Sequence, residues 1–92
     1  MPWTITLPKR VAAGIPRLPQ RVQASLVALL SEMEQAGPVR GNWPNYGKLG
    51  ASRHHCHLKK GHPTYVAVWE VTSTTCHLIE VTYVGTHEKA PY

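Results

Sequence analysis

The stretch Arg53-His54-His55-Cys56-His57-Leu58-Lys59 decides how this chain folds. In an extended segment successive side chains leave on opposite faces, and residues two apart stand about 6.6 Å from each other along one face. Cys56 and Leu58 then share a face, which as the apolar one turns toward a core, and His54 falls on the same side. Arg53, His55, His57 and Lys59 leave from the other. Residues 53–58 are therefore expected to form a strand of a sheet that is covered on one face and cationic on the other.

Working outward toward the C-terminus, residues 64–71 and 75–84 are rich in β-branched and aromatic side chains and read as two more strands. Lys60-Gly61-His62-Pro63 and Thr72-Ser73-Thr74 separate the three runs, and connections this short make an antiparallel meander. In the other direction, residues 37–50 hold Gly37, Pro38, Gly41, Asn42, Pro44, Asn45, Gly47 and Gly50 and are expected to be a loop. Ahead of it Leu18, Val22, Leu26, Leu29, Leu30 and Met33 recur at helical spacing, in a helix that starts around Pro16 and Pro19 and ends at Ala36. Residues 9–13 allow a helical turn or two before Gly14, and Thr4-Ile5-Thr6-Leu7 reads as a short strand stopped by Pro8. The expected architecture is α+β: a small four-stranded, largely antiparallel sheet with two N-terminal helices packed on one face.

A chain of 92 residues with 42% hydrophobic content supports one modest core, so residues 1–92 are read as a single domain. No apolar run approaches the roughly 20 residues a membrane helix needs, and Met1-Pro2-Trp3 does not begin a leader peptide. A soluble cytoplasmic protein without a membrane partner is expected. Cys56 and Cys76 do not form a Cys-x-x-Cys pair, and both are expected to be buried thiols, with a disulfide between them the lesser reading.

The net charge of +5 is unevenly placed. No carboxylate lies between Glu34 and Glu70, whereas Arg40, Lys48, Arg53, Lys59, Lys60 and the imidazoles of His54, His55, His57 and His62 do. Such a block suits a polyphosphate partner, against the plainer reading of a solvated basic face. The row Arg53, His55, His57, Lys59 matches a nucleic-acid backbone better than a small-molecule pocket. His55-x-His57 is also a metal signature, but further ligands would have to come from His62, His87 or Glu88. No cysteine shares that face, and Arg53 and Lys59 repel a cation, so no metal is assigned.

With these residues in view, the chain resembles the RelE/ParE superfamily of bacterial toxins, and within it the RelE-like ribonuclease branch of the HigB and YoeB types. The likeness runs through Tyr46-Gly47-Lys48-Leu49-Gly50, His55-Cys56-His57-Leu58, Tyr65-Val66-Ala67-Val68-Trp69-Glu70-Val71 and Tyr83-Val84-Gly85-Thr86-His87 to Tyr92. The element order agrees throughout. Position by position, His55 and His57 stand where RelE has two lysines, His87 stands where it has an arginine, and Tyr92 falls near its late catalytic tyrosine. Val66 occupies the place of a phosphate-binding arginine, leaving Lys59, Lys60 or Arg53 to supply that charge.

The resemblance implies a toxin that cleaves messenger RNA, in the ribosomal A site, inhibits translation, and is silenced by a cognate antitoxin. RNA carries its own nucleophile in the 2′-hydroxyl, so no cofactor is needed. His57 or His55 is the candidate general base, His87 the candidate general acid, and Tyr92 the candidate platform for a splayed base. Lys48, Arg53, Lys59, Lys60 and Lys89 are the candidate RNA-binding cations. The antitoxin is expected to be acidic, covering the basic face or packing on the helices. Two other readings stand beside this one: a DNA gyrase inhibitor of the ParE type, and a noncatalytic RNA-binding relative.

Overall fold

The computed structural model describes residues 2–92. Met1, on which the expected absence of a leader rests in part, lies outside them. The elements are β1 (Thr4–Thr6), α1 (Lys9–Gly14), a 3-10 turn (Ile15–Arg17), α2 (Gln20–Ala36), β2 (Gly47–Lys48), β3 (Arg53–Lys59), β4 (Tyr65–Ser73), β5 (Leu78–Thr86) and a final 3-10 turn (His87–Lys89).

The order agrees with the sequence reading, and the sheet is one strand richer. It has five strands in the order β1-β5-β4-β3-β2, with β2 to β5 antiparallel to their neighbours and β1 parallel to β5. The additional strand is a two-residue ladder inside the expected loop, where Gly47 pairs with His55 and Lys48 with His54. Its glycine and flanking prolines hide it from any reading by propensity. β1 is parallel because α1 and α2 lie between it and the meander, which allows the chain to return in the same direction at the far edge.

α2 lays Val22, Leu26, Leu29 and Met33 against the sheet, all essentially inaccessible to solvent. Together with Val11 of α1 they form the core with Cys56, Leu58, Ala67, Trp69, Ile79 and Val81. Cys56 and Leu58 therefore face inward, as alternation requires. His54 joins them as the buried polar side chain of this face: Tyr46 Oη lies 2.7 Å from its Nδ1, and the ring stacks parallel on Trp69. Burial first, and then the charge of Lys48, hold the His54 imidazole below its ordinary pKa. In a neutral ring the tautomer sets the direction of this bond: with the proton on Nε2, Nδ1 accepts from the Tyr46 hydroxyl.

The irregular segment after α2 is tied down by one carboxylate. Glu32 Oε1 accepts from Arg40 Nη1 at 3.1 Å, Asn42 Nδ2 at 2.9 Å and Trp43 Nε1 at 3.0 Å. The Asn42 and Trp43 bonds in particular hold the Glu32 carboxyl below its usual range. Two residues beyond Asn42, the Pro44 carbonyl accepts the His57 N–H at 2.8 Å, so this segment extends the edge of β3.

Three local readings are corrected. Cys76 is exposed and not buried, because the segment expected to begin the last strand turns instead at residues 74–77, with His77 at φ 55°, and β5 starts at Leu78. Both thiols are free. Burial pushes the Cys56 thiol up to about 12, which leaves it inert. At the end of β3 a bulge between His57 and Lys59 sets Lys59 opposite Tyr65, which packs on the core side. The bulge interrupts the alternation that would carry Lys59 onto the row of His57.

Candidate active site

The sheet face away from the helices is built in rows by the ladder register. His57 pairs with Val66 and Val66 with Gly85; His55 pairs with Val68 and Val68 with Tyr83; Arg53 pairs with Glu70. Val66 and Val68 are wholly inaccessible to solvent yet belong to no part of the helix-side core. The imidazole and phenol rings beside them form a second, thin layer that shields them. Val66, at the place of the expected arginine, is part of the floor of this layer.

The C-terminal segment returns across that floor. Tyr92 brings its ring centroid within 4.6 Å of His55 and 5.7 Å of His87, and His87 lies 5.6 Å from His57. All four residues read from the sequence as chemical candidates are thus gathered into one chain of rings: His55, Tyr92, His87, His57. Gly47 contributes by having no side chain, since a Cβ there would meet His55 Nε2 at 3.0 Å. The smallest residue lets the His55 ring lie over the edge strand.

The electrostatics divide the two strand histidines from the solvent. Burial is the first cause holding the His55 and His57 imidazoles below their ordinary pKa; the charge of His87 adds to both, and Lys60 and His55 add further to His57. Nδ1 of each ring is buried without a hydrogen-bond partner. Both rings are therefore neutral at pH 7, the state a general base needs. Tyr92 moves the other way: burial, Cys56 and Tyr83 raise its phenol pKa, so it stays protonated, and at 43% exposure the ring keeps an open face.

His57 and His87 also line an open cleft of about 340 Å³, together with Gly61, His62, Pro63, Thr64 and Glu88. The turn after β3 and the turn after β5 form its two walls, joined where the His87 N–H donates to the Thr64 carbonyl at 2.8 Å. The cleft opens beside the two imidazoles suited to proton transfer. Among the described residues no group of three or more His, Cys, Asp or Glu side chains is disposed to hold a metal ion.

The five cations divide by place. Lys60 is near enough to lower the His57 pKa, Lys89 is exposed in the turn that begins at His87, and Arg53 continues the row of His55 opposite Glu70. Lys59 is exposed beyond the bulge. Lys48 pairs with His54 and so lies on the helix side of the sheet, apart from the rings. Sequence reasoning assigned no role to Thr64 or Tyr83, weighed His62 only in the charge block and as a metal ligand, and weighed Glu88 only as a metal ligand. The ladder register is what brings Thr64 and Tyr83 to this site, and nothing in the local sequence marks it.

The fold and the site define a small α+β protein with a histidine and tyrosine centre on the open face of its sheet. No protein-family model and no curated protein matches the sequence. Three solved structures share the fold. A RelE toxin of E. coli with two arginines replaced by alanine, in the free state, superposes with a TM-score of 0.67 at 19% identity, over 92% of this chain and 83% of that one. The RelE–RelB complex of the archaeon Pyrococcus horikoshii gives 0.71 at 13% identity, over 98% and 100%. The toxin–antitoxin complex RelBE2 of Mycobacterium tuberculosis gives 0.59 at 17% identity, over 94% and 99%. The chain carries the RelE-like fold across its length.

Proposed function

We propose that this protein is the toxin of a toxin–antitoxin pair and acts as a metal-independent endoribonuclease on messenger RNA in the ribosomal A site. The observation that supports this most is the neutral His57 ring set against His87 at an open cleft, with Lys60 alongside. Neutral His57, with His55 behind it, accepts the proton of the RNA 2′-hydroxyl. The 2′-oxygen attacks phosphorus, the bond to the 5′-oxygen breaks, and His87 supplies the proton that the leaving oxygen takes. The products are a 2′,3′-cyclic phosphate and a 5′-hydroxyl.

Lys60, Arg53 and Lys89 neutralise charge as it builds on the phosphate, with Lys59 extending the cationic surface; Lys48, on the helix side of the sheet, takes no part. The protonated Tyr92 ring offers its open face to a splayed base. An antitoxin accompanies the toxin chain in the Pyrococcus and Mycobacterium complexes, and one for this chain would be acidic, drawn to the net charge of +5. The protein works in the cytoplasm, where translating ribosomes are found.

The test is to induce the chain alone and map messenger RNA 5′ ends together with chromosome breaks. Cleavage within reading frames, unaffected in a purified translation reaction by a zinc-selective chelator that leaves Mg²⁺ on the ribosome, is the expected result. Gyrase-dependent double-strand breaks without RNA cleavage would replace this reading with the ParE type. A chelator-sensitive activity restored by zinc would make His55 and His57 metal ligands.

A further inference from the structure

Four rings were assigned above, and a fifth on the same face has no part in that chemistry. β5 sets Tyr83 and Gly85 at alternate positions of the outer face, with Thr86 and His87 directly after. The Tyr83 hydroxyl donates to the Thr86 carbonyl at 2.7 Å. To reach it the phenol lies back along its own strand across position 85. A Cβ at Gly85 would stand 2.7 Å from Tyr83 Oη and 3.0 Å from Cζ. The ring can swing away from such a methyl without disturbing the core, so what a methyl would abolish is the contact with Thr86.

The Thr86 carbonyl and the His87 N–H belong to the same peptide unit, and both of its polar groups are engaged. The oxygen takes the Tyr83 hydroxyl, and the N–H donates to the Thr64 carbonyl at 2.8 Å. The peptide bond is planar, so fixing its two ends fixes the plane from which the His87 Cα departs. This matters because His87 is exposed and stands at the start of a three-residue 3-10 turn, where few packing contacts can aim its ring.

We propose that Tyr83 is a positioning residue for His87, acting through the Thr86–His87 peptide unit, and that Gly85 is the vacancy which lets it do so. The inference rests on the reading of His87 as the proton donor to the leaving oxygen. Proton transfer demands a placed donor, and small displacements of a catalytic group are costly.

The experiment compares the full chain with Tyr83→Phe, which keeps the ring and removes only the hydroxyl. Amide hydrogen exchange in the free protein reads the strut without any RNA: His87 N–H should exchange roughly 10-fold faster in the variant, the scale of one lost hydrogen bond. On the same messenger RNA substrate, kcat should fall roughly 10-fold with KM unchanged, the sign of a group that acts at the transition state. In a His87→Ala background Tyr83→Phe should cost nothing more, because the residue it aims is gone. Gly85→Ala should reproduce both the exchange and the kcat effects. Unchanged exchange at His87, or losses that multiply in the double variant, overturn the proposal. A parent protein that cleaves no RNA overturns the proposed function and with it any catalytic use of the strut, whereas the exchange measurement still decides whether the strut exists, so the two failures are told apart.

Discussion

At the scale of single residues, the consequence of exchanging lysine for histidine is a site whose charge depends on pH. A lysine at position 55 or 57 would stay cationic, while these imidazoles are neutral because burial and neighbouring charge hold their pKa below the ordinary value of about 6.5. The cleavage rate should therefore fall below pH 6.5, where the base takes up its proton, and that limb belongs to the coupled set of groups and not to one ring. His57→Ala and His87→Ala should each lower the rate by roughly 100-fold or more. Circular dichroism should be unchanged, since His57 leaves the outer face of β3 and His87 lies beyond β5. Variants that fold and cleave at the parent rate would remove both from the mechanism and leave Lys59, Lys60 and Tyr92. The imidazole row itself was legible by alternation along Arg53 to Lys59. The missed residues, Thr64 and Tyr83, were not: Thr64 enters the site through His87, far away in sequence, and the Tyr83 hydroxyl meets the Thr86 carbonyl across a glycine that no periodicity marks.

At the scale of elements, the outer half of the sheet and its turns serve the site while the inner half serves stability. Lys60 sits in the turn next to His57, so Lys59→Ala with Lys60→Ala should weaken RNA binding and flatten its dependence on salt, as fewer counterions are released. Filter binding across a salt series measures both, and an unchanged slope would place the RNA elsewhere. On the inner side, Leu26 is 1% exposed at the middle of α2, and Leu26→Ala should cost about 2–5 kcal/mol in a urea titration. That is a large share of the stability of a domain this small. The helix was legible by its apolar periodicity, and the three long strands by their β-branched and aromatic runs, although the bulges in the ladders and the start of β5 were not. β2 was not, since two residues inside a glycine- and proline-rich segment become a strand only when β3 is there to pair with them.

At the scale of the whole molecule, the two faces of one sheet are linked through pH. His54 belongs to the helix-side core, and His55 and His57 to the other face, and all three have folded-state pKa values below their unfolded ones. The unfolded chain binds protons first as pH falls, so the stability these groups contribute is intact above about 6.5 and is lost as pH falls through the folded values. The urea midpoint should therefore drop on going from pH 7 to pH 5, and His54→Phe should reduce that drop. A midpoint that does not move across this range would mean the three rings titrate alike in both states. The net charge of +5 and the block free of carboxylates were legible as composition alone, and they point to a polyanion whatever the fold. Sequence by itself determined the α+β order, the inward face of Cys56 and Leu58, and the outward row of Arg53, His55 and His57, because periodicity is a local property. Only the tertiary structure decided that β1 runs parallel to β5, that Lys48 lies beside His54 and on the opposite face from His55 and His57, and that Tyr92 folds back onto His55 beside His87. Those facts depend on which strands pair and in which register, a choice made by the packing of the whole chain and written in no single segment of it.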